Sequence, residues 1–235
     1  MPAPRVCFDR ILPRDLRTGP DPVVHSQATP RAAFERGKLW PLGATLRVAF
    51  LDGSEAQHEI VRRFAPTWSK YASIRFDFVN NQNPDIRITF DPNDGSWSYI
   101  GLDCRTIPRS APTMNLGWQD EGVVLHEFGH TLGMIHEHQN PTGGIKWNKE
   151  AVYRDLSGPP NNWDKATIDN NMFAVYDRDQ VNSTQVDKFS IMLYAVPKEW
   201  TLDGFSSKPN EVLSGTDKKF IGDPRNYPLT GPRAQ

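Results

Sequence analysis

The sequence predicts an α+β fold in which a mixed β-sheet packs against helices. Residues 45–50, 74–78 and 86–90 alternate apolar with polar side chains, which is the period of half-buried strands. The residues after Ser54, and those from 122 to 134, instead place apolar side chains at helical spacing. A chain of 235 residues is long enough to bury the core of one sizeable domain.

The composition excludes several classes of function. The chain has 27 Lys and Arg against 28 Asp and Glu, a net charge of −1 at pH 7, so nucleic acid is not an expected partner. No apolar run is long enough to span a membrane, and the N-terminus lacks the apolar centre of a secretory signal. We therefore expect a soluble protein, favour a monomer, and find no export route in the sequence.

The first 38 residues contain six prolines among scattered charges. Because proline lacks the backbone donor that helices and strands use, this composition predicts an irregular N-terminal arm over residues 1–38. The folded domain is then expected to span residues 39–235. The chain has only two cysteines, Cys7 and Cys104, and two cysteines do not make a disulfide framework.

The elements of the first half each have a local reason. Thr45–Phe50 follows a turn and alternates as the first strand. Ser54 is a candidate N-cap of the first helix, and Pro66 should shorten or kink that helix because proline breaks the helical hydrogen bonding. Residues 74–78 and 86–90 form the next strands, with a turn-like segment between them.

The second half of the chain is expected to be less regular. Residues 122–134 are mostly apolar and predict a buried central helix. Beyond Asn140 the chain is rich in Gly, Pro and Asn, and only short helices are expected, near residues 149–156 and 163–173.

A metal-binding pattern lies on the predicted central helix. His126 and His130 are four residues apart, so both imidazoles lie on one face and can bind one ion. Glu127 is one residue out of register and can reach a metal-bound water rather than the metal. Gly133 can adopt the left-handed conformation that ends a helix, which lets His136 turn back as the third ligand.

This ligand set predicts a catalytic zinc site. Three neutral histidines leave one position open for water, whose pKa zinc lowers to about 7. Glu127 can accept the proton of that water as it attacks a peptide carbonyl, which indicates a zinc-dependent endopeptidase. The alternatives are an accidental group of core or surface histidines, and a zinc-binding interaction module without turnover. Four of the six histidines lie between residues 126 and 138, and the presence of Glu127 argues against the second alternative.

Two motifs resemble the astacin family of the metzincin peptidases. The first runs from His126 to His138, where Glu137 directly follows the third histidine, a place at which other metzincin families usually differ. The second is Ser190-Ile191-Met192-Leu193-Tyr194, which resembles the astacin Met-turn. Landmarks at Leu39-Trp40 and from Trp97 to Gly101 extend the resemblance over roughly residues 39–227.

The resemblance implies a metzincin-type domain of two lobes with a zinc at the floor of the cleft. The upper lobe, about 39–136, would hold a twisted mixed sheet and two long helices, and the irregular lower lobe would span about 137–235. The enzyme would hold one Zn²⁺ per chain and would cleave protein or peptide substrates outside the cell. A metallopeptidase of another metzincin family is the nearest rival, and Glu137 with Tyr194 argues against it.

The resemblance also implies roles for single residues. Tyr194 would donate a hydrogen bond to the oxyanion formed during peptide hydrolysis. Met192 would support the metal site by packing, and Gly133 and Glu137 would support it structurally. Substrate in this family lies extended along an edge strand. Backbone pairing is therefore expected at Met114-Asn115-Leu116, with a plain sheet edge as the alternative. The candidate substrate-binding residues are Met114, Asn115 and Leu116, with Trp97 and Tyr99.

The chain departs from the family pattern in its cysteines and in its arm. The two disulfides of the family cannot both form, which favours a microbial branch, and residues 139–142 replace the usual Arg-x-Asp-Arg. The Phe-x-Gly-Asp motif of astacin pro-segments is missing. We hypothesise a zymogen in which Cys7, or Asp9, fills the open zinc position, since a thiolate is an excellent zinc ligand. The alternative is a structural Cys7 bonded to Cys104.

Activation would then require a cut in the arm. Cleavage near Arg31-Ala32 would leave a new N-terminus shortly before the predicted domain, and its ammonium group could reach Glu137. This cleavage site is a further hypothesis drawn from the resemblance.

Overall fold

The computed structural model describes residues 4–8, 10, 31–80, 83–140, 144–175, 181–184 and 186–229. Its strands are β1 Arg31–Glu35, β2 Thr45–Phe50, β3 Arg75–Phe78, β4 Ile86–Thr89, β5 Ser96–Ser98, β6 Met114–Leu116 and β7 Val181–Thr184. Its α-helices are α1 Glu55–Phe64, α2 Glu121–Thr131, α3 Lys149–Leu156, α4 Lys165–Ile168 and α5 Gly215–Ile221. The predicted α+β fold class is confirmed.

The main sheet has five strands in the order β3-β2-β4-β6-β5. Its first four strands run parallel, and β5 is antiparallel to β6, so the predicted mixed sheet is confirmed. Met114–Leu116 was expected at an edge, and that expectation is wrong because β6 pairs with β4 on one side and β5 on the other. The edge strand next to β6 is β5, Ser96–Ser98, whose three residues are too few to show alternation in the sequence.

Helix α1 begins and ends where its sequence signals lie. The side chain of Ser54 accepts a hydrogen bond from the backbone N–H of Gln57, and the Gln57 side chain accepts from Ser54 in return. The helix ends at Phe64, and Pro66 starts a 3₁₀ segment over Ala65–Lys70, as its missing N–H predicts. The indole of Trp68 then donates to the carbonyl of Leu125 at 3.0 Å, which packs this segment against α2.

Helix α2 is the buried central helix that the apolar run predicts. Asp120 caps its N-terminus by accepting from the N–H of Val123. Its C-terminus is closed by Gly133, whose φ is +100°, with Gly133 N–H donating to His130 and Met134 N–H donating to Gly129. This pair of bonds is a Schellman motif, and it ends the helix before the predicted position 134 because the left-handed residue turns the chain away.

The buried apolar residues form two clusters. The first cluster joins the main sheet with α1, α2 and α5. The second joins α3, α4 and the segment around Tyr194 with two residues of the arm, Val6 and Cys7. Residues beyond position 137 contribute to both clusters. The segments that follow α4 supply these residues of the first cluster: Ile191, Met192, Leu213, Phe220, Ile221 and Tyr227.

The N-terminal arm is more regular than its proline content predicts. Within it, β1 pairs antiparallel with β7, and a 3₁₀ turn follows at Arg36–Lys38. The backbone N–H of Phe8 donates to the carbonyl of Ser96 on the edge strand β5, at 3.2 Å. Asp9 lies outside the described residues. Across the described ranges, no helix combines the length and apolar character needed to cross a membrane.

Candidate metal centre

Helix α2 and the turn that follows it bring three histidines together. The Nε2 atom of His130 lies 3.1 Å from that of His126 and 3.2 Å from that of His136. The Nε2 atoms of His126 and His136 are 3.2 Å apart, which closes the triangle. All three side chains are buried. The helical spacing and the turn at Gly133 therefore produce the ligand geometry that the sequence predicts.

The opposite ring nitrogens fix how the imidazoles are oriented. Nδ1 of His126 lies 2.7 Å from the carbonyl oxygen of Ile191, and Nδ1 of His130 lies 2.8 Å from that of Met134. Because a carbonyl only accepts hydrogen bonds, both Nδ1 atoms donate, and the acceptor lone pair of each ring is on Nε2. These two lone pairs and Nε2 of His136 surround one point, an arrangement that is favourable when a cation lies there.

The triangle has the dimensions of a zinc site. Zinc bound tetrahedrally to three imidazoles at about 2.0–2.1 Å requires N···N separations of about 3.3 Å. The observed separations of 3.1–3.2 Å are close to that requirement. Neutral imidazole nitrogens are ligands that zinc prefers, and a set of three is typical of catalytic zinc. The residues present therefore fit a zinc ion.

Glu127 and Cys7 adjoin this cluster. Ligand atoms of Cys7, His126 and Glu127 lie within 4.8 Å of one another. The side chain of Glu127 is fully buried, so its carboxylate faces the interior of the site rather than bulk solvent. Cys7 was a hypothetical zinc ligand on sequence grounds. The structure places it beside His126, although the two residues are more than a hundred positions apart in the chain.

Tyr194 contacts both the arm and the third histidine. Its hydroxyl donates to the backbone carbonyl of Cys7 at 2.5 Å and lies 3.3 Å from Nδ1 of His136. Its ring packs against those of His136 and His138, with centroids 4.3 Å and 4.7 Å apart. The tyrosine is thus held beside the ligands, with its hydroxyl directed at the arm.

Met192 supports the site from below through packing. A Cβ added at Gly129, between the first two histidines, would lie 2.4 Å from the sulfur of Met192. Only glycine therefore lets the methionine approach the helix so closely. The carbonyl of Met192 also accepts from the N–H of Glu137 at 2.9 Å, which ties the Met-turn to the segment after the third histidine.

The sequence places this site within a known family. Residues 35–199 match the sequence model of the astacin peptidase family, and the match covers well over half of the chain. The chain belongs to the astacin family. The resemblance read from the two motifs is confirmed.

Several proteins are similar to this astacin. A solved structure of myroilysin is 43% identical, with a TM-score of 0.79 over 83% of this chain and 99% of that one. Tolloid-like protein 1 from Mus musculus is 29% identical over 113 residues, which are 48% of this chain and 11% of that protein. Bone morphogenetic protein 1 from Xenopus laevis is 30% identical over 104 residues, which are 44% and 14%. The chain thus spans little more than a tenth of these two curated relatives.

Glu137, the residue that distinguishes the astacin motif, is buried and bonded. Its Oε1 accepts from the backbone N–H of Asp187 at 2.9 Å. Burial raises the pKa of Glu137 to about 8, against the opposing effect of that hydrogen bond. The glutamate therefore fixes the chain that follows β7, the strand that pairs with β1 of the arm.

The predicted substrate-binding residues have structural partners of their own. The side chain of Asn115 bonds with the backbone of Asp91 and Gly95 and with the hydroxyl of Thr89, which locks the loop before β5. Trp97 is fully buried and its indole donates to Asp94, while Tyr99 is nearly buried. On this side of the sheet, β5 is the edge strand that an extended peptide could pair with.

The two cysteines of this astacin lie in different environments. Cys7 and Cys104 form no disulfide among the described residues, so the alternative of a structural Cys7–Cys104 bond is wrong. Cys104 lies in the first cluster near Arg87, and burial raises the pKa of its thiol to about 12. A thiol in that environment stays protonated and inert, whereas Cys7 lies at the metal centre.

Proposed function

We propose that this astacin is a zinc-dependent endopeptidase that cleaves peptide bonds within extended protein or peptide substrates. The observation that carries the proposal is the triangle of Nε2 atoms from His126, His130 and His136, with the Glu127 carboxylate beside it. Membership of a peptidase family supports it. We propose one zinc ion per chain, held by the three histidines.

The residues of the site divide the chemistry between them. A zinc ion held there supplies a Lewis acid that activates water and polarises the scissile carbonyl. Glu127 directly follows the first histidine ligand on α2. Its carboxylate takes a proton from the attacking water and returns it to the leaving amine. The hydroxyl of Tyr194 donates to the carbonyl of Cys7 in the intact chain, and once the arm is released it can donate to the developing oxyanion instead.

Substrate backbone is proposed to pair with the edge strand β5. The carbonyl of Ser96 already accepts a backbone N–H, that of Phe8, so this edge accepts an extended peptide in the cleft. Trp97 and Tyr99 shape the edge, while Met114, Asn115 and Leu116 hold it from behind as the neighbouring strand. The role of these residues is therefore support of the pairing edge.

The arm is proposed to be a pro-segment that blocks the site. It touches both sides of the cleft, through Phe8 on β5 and through Val6, whose N–H donates to the Asn161 side chain at 3.2 Å. The Asn161 amide in turn donates to the carbonyl of Pro4 at 2.9 Å. Cys7 lies between these anchors, beside His126 and Glu127, where its thiolate can act as a zinc ligand.

A cut at Arg31-Ala32 is proposed to release the arm. The residue Arg31 is paired with Thr184, three residues before Asp187, whose N–H is bonded to Glu137. The new N-terminal ammonium would therefore form next to the segment that Glu137 holds. We further propose that the enzyme acts outside the cell as a monomer, with its arm at 1–38 and its lobes at about 39–136 and 137–235.

Metal removal is expected to abolish hydrolysis. A chelator should reduce cleavage of a fluorogenic peptide library to background, because the proposed mechanism has no other Lewis acid, and one equivalent of zinc should restore it. Activity would be measured on the chain trimmed after Arg31, and bound zinc by elemental analysis. The His130→Ala variant serves as the control that cannot be restored. Hydrolysis that survives in the stripped protein would rule out the proposed function.

The Tyr194→Phe substitution is expected to lower kcat by about 100-fold and leave KM within a few-fold, because one oxyanion donor is lost only in the transition state. The trimmed variant would be compared with wild type over a range of peptide concentrations. Tyr153→Phe is the matched control, since its hydroxyl donates to Asp169, the residue after α4, and not to the arm or to the histidines. An unchanged kcat with a raised KM would instead assign Tyr194 to substrate binding.

A further inference from the structure

A continuous chain of hydrogen bonds leads from the first metal ligand to a buried carboxylate. Nδ1 of His126 donates to the carbonyl of Ile191 at 2.7 Å. The N–H of the same peptide unit, that of Met192, donates to Oγ of Ser190 at 3.1 Å. The hydroxyl of Ser190 then donates to Oδ1 of Asp217 at 2.7 Å. We call this chain the Asp217 relay.

Every member of the Asp217 relay is shielded from solvent. The side chains of Ser190 and Asp217 are 1% and 2% exposed, and Met192 is fully buried. Hydrogen bonds in such surroundings are stronger than in water, and successive bonds polarise one another when donors and acceptors alternate in one direction. All three bonds of the relay point from the imidazole toward the carboxylate.

The carboxylate is held in one position by further donors. Oδ2 of Asp217 accepts from the N–H of Ile191 at 2.9 Å and from the N–H of Ser214 at 2.8 Å. Asp217 therefore fixes both peptide units of the Met-turn relative to helix α5. These two bonds are also compatible with a purely structural role, in which Asp217 caps α5 and closes the Met-turn. A test of the relay must distinguish that role from an effect on zinc affinity.

The other two ligands are oriented in a different way. The acceptor of His130 is the carbonyl of Met134, within the turn that ends α2. Nδ1 of His136 lies 3.3 Å from the hydroxyl of Tyr194, which is proposed to change its hydrogen-bond partner when the arm is released. The orientation of His126 thus depends on helix α5, which bears Asp217 some ninety residues further along the chain.

We propose that Ser190 and Asp217 are positioning residues that raise the zinc affinity of His126 through the Ile191–Met192 peptide. A carbonyl whose own peptide N–H is bonded to a carboxylate-linked hydroxyl is a better acceptor. It therefore draws the Nδ1 proton of His126 and makes Nε2 a stronger ligand. Partners of this kind change metal affinity by about 10–100-fold when removed. The proposal rests on zinc binding at the three histidines.

The test compares zinc affinity in two serine variants of the full chain. Ser190→Ala removes the middle of the relay, and we expect zinc to bind about 10-fold more weakly in competition with a chromophoric chelator. Ser214→Ala is the matched control, because its hydroxyl accepts from Thr216 and Asp217 at the start of α5 and lies outside the relay. We expect Ser214→Ala to lower the unfolding temperature of the zinc-free protein without changing zinc affinity. Ser190→Thr keeps the hydroxyl and should restore binding.

The outcomes separate the relay from the metal site itself. Equal zinc affinity in Ser190→Ala and wild type, or equal losses in Ser190→Ala and Ser214→Ala, would overturn the relay. If Ser190→Ala does not fold, Asp217→Asn decides, because the amide keeps the shape but not the charge, and an unchanged affinity in that variant would overturn the proposal. If His130→Ala bound zinc as tightly as wild type, that result would instead contradict the metal site on which the relay depends.

Discussion

Glu127→Ala is expected to lower kcat/KM by about 10⁴-fold, the upper end of what a positioned general base contributes. The carboxylate is fully buried beside His126, within reach of Cys7, so a water that reaches the site has this base beside it. Alanine removes the base but none of the three histidines. The variant should therefore keep its zinc while it loses hydrolysis, which distinguishes loss of the base from loss of the metal.

Two further variants make the measurement specific. Glu127→Gln keeps the size of the side chain and cannot take a proton, so it should be as inactive as Glu127→Ala. Glu121→Ala removes a partly exposed carboxylate from the first turn of the same helix and should leave kcat/KM within about two-fold. Rates would be measured on trimmed protein with a fluorogenic peptide, and zinc by elemental analysis. A Glu127→Ala protein that retained a tenth of wild-type activity would point to another base, whereas a wild-type protein that bound zinc without hydrolysing any peptide would point to a binding module.

The triangle of three histidines was predictable because its determinants are local. The spacing of His126 and His130 sets one helical face, and the glycine at 133 decides where the chain turns. Each of these relations spans less than two helical turns, so helix geometry alone fixes them. The same holds for helix α1, where Ser54 and Pro66 lie at its two ends. Local rules act here without help from distant parts of the chain.

The features that the sequence did not reveal depend on long-range pairing. Strand β5 has three residues, and nothing within Ser96–Ser98 tells that it closes the sheet outside β6. Asp217 lies 27 residues beyond Ser190 in the chain, and only the packing of α5 brings the two together. Val6 and Asn161 are 155 residues apart. Such contacts are set by how the two clusters pack, and periodicity carries no signal for them.

Removal of the arm is expected to raise peptidase activity by about 100-fold. The arm is tethered to the protein it blocks, so its effective concentration at the site is high, and even modest contacts keep it bound. Those contacts are the bonds of Phe8 to β5 and of Val6 and Pro4 to Asn161, together with Cys7 at the metal centre. Chain cut after Arg31 would be compared with intact chain on the same peptide.

Single substitutions divide this latency into its parts. Cys7→Ser should activate the intact chain, because a hydroxyl is a much poorer zinc ligand than a thiolate, and Cys104→Ser, at a buried cysteine remote from the centre, should not. Asn161→Ala removes two hydrogen bonds of about 1 kcal/mol each, so it should raise the activity of the intact chain by about 30-fold. After trimming, Asn161→Ala should match wild type if the amide holds only the arm. Equal activity of intact and trimmed wild type, with no effect of Cys7→Ser, would show that residues 4–8 bind in the cleft without restraining catalysis, and the latency proposal would then be wrong.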